Sequence, residues 1–222
     1  MQRYFRHMST LICERHDKHI CIGPQENKSR TFAKSAAGLQ CSPNTICRKQ
    51  DAMNQTRYSI LFSSSTGNTK LLAEAIREAL PAECCDYFGA CSANEPESNT
   101  VYVGFWTNKG IADDNALQLL KVLRNKKIFL FGTAGFGGSE AYFKGILDKT
   151  KKAIDASNTV VGEYMCQGKM PQSVRERYIK MKEQPNHMPN IDAMIENFDK
   201  ALSHPDEDDL NALKQLVANI AQ

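Results

Sequence analysis

From residue 58 onward, short apolar blocks alternate with polar, glycine-bearing breaks, and the blocks are of two kinds. Tyr58 to Phe62 is a brief, mostly apolar run, the pattern of a strand covered on both faces. Leu71, Leu72, Ala75, Ile76 and Ala79 then recur at helical spacing within Lys70 to Leu80, and Pro81 ends that helix. Glu83 to Phe88 reads as a weaker second strand, and Gly89 to Asn99 as loop. Val101 to Phe105 is a third strand, followed by the loop Trp106 to Asp113. Asp113 or Asp114 supplies the cap of the next helix, which turns Leu117, Leu120, Val122 and Leu123 toward a sheet and ends near Arg124 and Asn125. Lys127 to Phe131 is a fourth strand, with the loop Gly132 to Gly138 after it. Ser139 caps a helix bearing Tyr142, Phe143, Ile146 and Leu147. Thr159 to Met165 is a fifth strand, ending at Cys166-Gln167-Gly168-Lys169.

Beyond residue 170 the pattern is helical throughout. Val174, Tyr178 and Met181 share one face, and Ile191, Met194, Ile195 and Phe198 form a second stripe. Leu210, Leu213, Leu216, Val217 and Ile220 form a third, in a final helix expected to cover the first strand. Residues 171–200 are an addition to the alternating core. They cover the sheet, shape a pocket rim or meet a partner.

Strands alternating with helices predict an α/β fold with a parallel sheet, helices on both faces and right-handed crossovers. In such folds the ligand sits beyond the carboxyl ends of the strands, where the strand order switches. The loops 63–69, 106–113 and 132–138 all follow strands, so all lie at that edge. The first of them, Ser63-Ser64-Ser65-Thr66-Gly67-Asn68-Thr69, joins a strand to a helix start through clustered hydroxyls. Gly67 lets the backbone turn, and the first amides of the helix have no intrahelical partners. Ser64, Ser65, Thr66, Asn68 and Thr69 are therefore expected to hold a phosphate through N–H groups and hydroxyls, with no lysine inside the loop. The competing reading is a capped helix after a serine-rich turn.

Charge divides the 222-residue chain unequally. Residues 1–52 carry 9 Lys+Arg and 4 Asp+Glu, or +5, whereas residues 53–222 carry 19 and 21, or −2. The nearly neutral body gives no reason to expect nucleic acid. No run of eighteen apolar residues exists, so no membrane span or secretory signal is expected. Eight cysteines without such a signal read as reduced thiols of a cytoplasmic protein.

Residues 1–55 show neither strand nor helix periodicity and are expected to form a disordered or loosely packed extension to a domain at 56–222. Cys13, His16, His19, Cys21, Cys41 and Cys47 offer metal-ligand chemistry, but no C-x2-C pair supports a zinc or iron–sulfur site, and no metal is assigned. Met53 precedes a run that reads as the natural start of a compact domain.

With the loops in place the chain resembles the flavodoxin family. Ser64-Ser65-Thr66-Gly67-Asn68-Thr69 matches that family's phosphate loop, and the resemblance extends over roughly residues 56–166 and the last helix. It implies a doubly wound five-stranded sheet of order 2-1-3-4-5, with additional C-terminal helices here, and FMN as cofactor. The run from Gly135 to Glu140 and Cys166-Gln167-Gly168-Lys169 look like a flavodoxin-like branch from anaerobic bacteria. The arm, the helical piece at 171–200 and the weakly charged body depart from the family pattern.

By this resemblance Trp106 stacks on the flavin ring, the alternative being a plug between loop and helix. Thr107, Asn108, Lys109 and Gly110 face its edge. Thr133 and Ala134 present backbone groups to its polar side. Gly135, Phe136, Gly137 and Gly138 approach the ring closely, with Phe136 as a shield or a lid, and Gly135 or Gly137 as the peptide that reorients on one-electron reduction. Cys166 is a redox thiol or, more simply, a small apolar residue. His187 and His204 read as surface or capping residues, and no Ser-His-Asp arrangement is visible, so no catalytic residue is assigned. The implied function is electron shuttling between a reductase and an acceptor redox protein. The alternatives are NAD(P)H-dependent reduction of quinones or other small-molecule acceptors, and a non-enzymatic FMN-binding or interaction module.

Overall fold

A computed structural model describes residues 57–92, 96–137 and 139–220. The extension at 1–55 and the metal reading of its cysteines and histidines lie outside the described residues. The elements are β1 (Tyr58–Phe62), α1 (Asn68–Ala79), a 3-10 turn (Ala82–Cys84), β2 (Cys85–Ala90), β3 (Thr100–Asn108), β4 (Ile111–Ala112), α2 (Asp114–Val122), β5 (Lys127–Ala134), α3 (Glu140–Lys151), β6 (Thr159–Gln167), α4 (Gln172–Lys182), α5 (Ile191–Ala201) and α6 (Glu207–Ile220).

The sheet runs β2-β1-β3-β5-β6, all parallel, with β4 attached antiparallel to β3. Counting only the parallel strands, this is the doubly wound order 2-1-3-4-5. One face is sealed by α2 and α3, which place Ala116, Leu119, Leu120, Ile146 and Leu147 on Val101, Val103, Phe105, Ile128 and Leu130. The other is sealed by α1 and α6, whose Leu72, Ile76, Leu213 and Val217 meet Tyr58, Ile60, Tyr102, Phe129 and Phe131. Because α1 and α2 pack on opposite faces, a crevice opens between the carboxyl ends of β1 and β3.

The register of the central pair is set by two reciprocal exchanges. Gly104 stands opposite Phe131, and Phe105 opposite Gly132. A Cβ on Gly132 would lie 2.7 Å from the Phe105 ring, and one on Gly104 would run into the ring of Phe131. Each glycine leaves room for the aromatic ring of its neighbour, and both rings are fully buried.

Three expectations are corrected. Residues 83 and 84 belong to the 3-10 turn, and the second strand begins at Cys85. The third strand extends through Trp106, Thr107 and Asn108, and the fourth through Gly132, Thr133 and Ala134, so part of each supposed loop is strand. The final helix packs beside α1 and on β6, and its Leu213 and Val217 share the buried cluster of Tyr58 and Ile60 in the first strand. Among the described residues no helix is long and apolar enough to cross a membrane.

Candidate functional site

The start of α1 is built to leave its amides available. Ser63 N–H still donates to Gly104 O at 2.9 Å, so the chain leaves β1 as part of the sheet. It turns at Gly67, which has φ 89° and ψ −13°, a left-handed conformation natural to glycine. The N-cap Gly67 has no side chain to cap α1, Ser64 Oγ accepts only from the Lys70 N–H at 3.4 Å, and no acidic residue stands in the first turn. The helices that start at the same edge differ: Asp113 accepts from Asn115 and Ala116 at α2, and Ser139 from Tyr142 at α3. The positive end of the α1 dipole is thus left for an anion.

That terminus opens onto a cleft of about 560 Å³, within the size range of cofactor pockets. Ser65, Thr66 and Asn68 line it from β1 and α1. Trp106, Thr107, Lys109 and Gly110 line it from β3 and the turn into β4. Thr133, Ala134, Gly135 and Phe136 line it from the end of β5. The β3–β4 turn is tight: Lys109 and Gly110 have φ 52° and 80°, and Asn108 pairs with Ile111 across it. Asp113 N–H donates to Trp106 O at 3.1 Å, which ties the indole-bearing strand to the start of α2.

Other predicted residues fall beside the cleft. Ser64 and Gly67 line an adjoining groove of about 360 Å³ with Lys70 and Cys91. Thr69 is buried, and its hydroxyl lies 3.3 Å from both Phe105 O and Thr133 Oγ1, occupied by the framework. Asn108 and Gly137 are not in the lining, although Gly137 adopts φ 127° and a Cβ there would strike Tyr142. Gly138 lies outside the described residues.

The remaining wall comes from residues that sequence reasoning did not assign. Gly168, Lys169, Met170 and Pro171, then Val174, Arg177 and Tyr178 of α4, close the cleft opposite the β3–β4 turn, and Tyr142 of α3 lies at its margin. The piece at 171–200 therefore shapes the pocket rim. Its one legible signal was the Val174–Tyr178 face. Asn68 locks this wall to α1: its Nδ2 donates to Lys169 O and to Thr66 Oγ1, each at 2.9 Å. Gln167 and Asn197 hold the opposite lip, donating to the carbonyl of Gly135 at 3.3 and 3.0 Å.

Buried polar atoms remain unpartnered here. Asn68 Oδ1 and Thr107 Oγ1, both on cleft-lining residues, have no hydrogen-bond partner. Such atoms are costly unless something binds them. By contrast, Cys166 offers no redox nucleophile: burial pushes its thiol well above the ordinary range, which keeps it neutral. His204 is engaged at 2.6 Å with Asp209 in the first turn of α6, consistent with a capping role, and His187 is exposed.

Comparison with known proteins agrees with this architecture. The flavodoxin domain family model matches residues 59–218. A flavodoxin-like domain-containing protein BilS of Clostridium symbiosum is 38% identical over 178 residues, covering 72% of this chain and 94% of that protein. The protein of the same description from Clostridioides difficile is 31% identical over 169 residues, with the same coverages. A Streptococcus flavodoxin structure aligns at a TM-score of 0.44 and 16% identity, over 74% of this chain and 97% of that one. The family match spans both faces of the sheet and every strand that borders the cleft, and this chain belongs to the flavodoxin domain family.

Proposed function

We propose that this chain binds FMN in the cleft and works as an electron carrier between a reductase and an acceptor enzyme. The observation that carries the proposal is the uncapped start of α1, where Gly67 turns the backbone and unpartnered Asn68 Oδ1 borders the cleft. The residues fit such a cofactor. Backbone N–H groups at 66–69 and the hydroxyls of Ser65 and Thr66 would hold a phosphate, Trp106 would stack on a ring, and Thr107 Oγ1 would meet a polar edge. FMN, when bound, supplies one- and two-electron redox chemistry. The protein's part is to position that group, exclude water with Trp106 and Tyr178, and fix the Gly135 carbonyl through Gln167 and Asn197.

Two observations favour a carrier. Among the described residues no nucleophile and base are paired in the cleft, and its lining includes the exposed Phe136, 41% accessible. The test is a visible spectrum of the purified chain, with added FMN, during stepwise reduction. Flavin absorption that passes through a stable one-electron state is the expected result. Steady NAD(P)H oxidation by the chain alone would replace the carrier reading with the reductase one. Failure to take up FMN at all would overturn both.

A further inference from the structure

The cleft carries charge of one sign. Lys109, Lys169 and Arg177 line it, and no Asp or Glu does. All are exposed, and none forms an ion pair with any described residue. Elsewhere cations are commonly matched: Arg57 with Asp86, Arg175 with Asp199, Lys182 with Asp192, Lys214 with Glu78. Arg177 lies over the Tyr178 ring, 5.8 Å from its centroid. A further cation without an ion pair among the described residues, Lys149, lies beside the β3–β4 turn, its Nζ 3.6 Å from where a Cβ on Gly110 would stand. This excess sits on a body, residues 53–222, whose net charge is −2. The positive field is therefore local to the cleft mouth.

We infer that this rim is the docking surface for an acidic redox partner, whose Asp and Glu side chains meet Lys109, Lys149, Lys169 and Arg177. The cations come from separate elements, the β3–β4 turn, the end of α3, the loop after β6 and α4, with Lys149 outside the lining and beside Gly110. A single small anion would not use that spread. The lining also carries exposed Phe136 and Tyr142, with ring centroids 6.5 Å apart. Exposed aromatic rings among charged side chains are the anatomy of a transient protein interface. A nucleic acid would require a continuous basic field, which a body of net negative charge lacks.

The inference rests on the electron-carrier reading for its purpose, but its test does not require flavin. Trp106 is the only tryptophan, so the chain has a single indole N–H resonance, which reports on the cleft with or without FMN. The probe is poly-L-glutamate, titrated into the full chain at low salt. The indole resonance is expected to shift, saturate and return as salt is raised. Lys109→Gln with Arg177→Gln should weaken the association about tenfold. Lys121→Gln with Lys127→Gln removes the same charge from the other end of the sheet. Lys127 is seven residues from Ala134 along β5, about 23 Å away. That pair should change the association less than about twofold. Equal weakening by both pairs, or an indole resonance that poly-L-glutamate does not move, would overturn the proposal. So would tighter association with an oligonucleotide of matched charge. A chain that binds poly-L-glutamate at this rim yet takes up no FMN would defeat the cofactor reading and leave the rim standing.

Discussion

Asn197 reaches the cleft without lining it. It sits on α5, 62 residues from Gly135 in sequence, and donates one hydrogen bond to that carbonyl while accepting another from Gln167. Asn197→Leu removes both, leaving the Gly135 carbonyl with Gln167 as its one side-chain donor and Gln167 with that carbonyl as its one acceptor. A loss of about 1–2 kcal/mol in unfolding free energy is expected, measured by urea denaturation. Faster amide exchange confined to residues 135–137 and their neighbours should accompany it, and protection unchanged there would show that the two bonds do not order the lip. Gly67 poses the opposite problem. A Cβ there meets nothing within 4 Å, so Gly67→Ala costs backbone strain and not a clash. The strain of a left-handed alanine, about 1–2 kcal/mol, is relieved if the turn relaxes, which misaligns the α1 amides. A fall in FMN affinity of at least tenfold, read by flavin fluorescence, is expected. An affinity unchanged within twofold would mean that this turn does not hold the phosphate.

At the scale of elements, the alternating blocks placed the central strands, which are apolar where both faces are covered, and the resemblance to the flavodoxin family supplied their order. The strand ends were not legible. Trp106, Thr107 and Asn108 emerge from between the helix layers, so their side chains need not be apolar, yet Trp106 still pairs with Thr133 and Thr107 with Ala112. Backbone pairing outlasts the hydrophobic signal by three residues on β3. The same limit hid half of the cleft. Residues 63–69 were readable as a hydroxyl-rich loop from a strand to a helix, and Ser65, Thr66 and Asn68 of it line the cleft. The wall from α4 was not readable, because that helix buries only Tyr178 and shows a weak apolar face. Asn68, read as a phosphate ligand, turned out to be a cross-brace to Lys169 as well. The β3–β5 register is testable at its glycines. Gly132→Ala forces a methyl against the buried Phe105 ring with no cavity to receive it, and should cost about 1–3 kcal/mol. Phe105→Leu on that background should recover part of the loss. Simple additivity of the two changes in thermal melts would mean that the pair is not the contact that fixes the register.

The molecule as a whole has different sensitivities to acid and to alkali, and the alkaline one is traceable to its core. Asp148 beside Lys151, Asp155 beside the Ser157 amide, Asp199 beside Arg175 and Asp206 beside the Asp209 amide are all held below the ordinary carboxylate value. Their stabilisation is present above that value and fades as pH falls through their folded-state values, so the acid limb begins below about pH 4. These groups are at the surface, and the limb should be shallow. The thiols act in the other direction. Burial, aided by the nearby Asp113 charge, pushes Cys91 from 9.0 up to about 12, and burial also raises Cys166. An unfolded chain releases these protons near pH 9 while the folded chain keeps them. The unfolded state then binds fewer protons, and stability declines as pH rises past that value. At pH 10 each thiol should cost about 1.4 kcal/mol of stability relative to pH 7. The raised Tyr58, Tyr102 and Tyr164 extend the decline at higher pH, again through burial. Cys166→Ala isolates one contribution. Unfolding free energies of the two proteins at pH 7 and pH 10 should differ in their pH dependence by about 1.4 kcal/mol, with the variant the flatter. The tyrosines and Cys91 are common to both and cancel. Parallel curves would mean that the Cys166 thiol ionises as readily in the folded protein as in the unfolded chain, and that the end of β6 is open to solvent instead of sealed beneath α6.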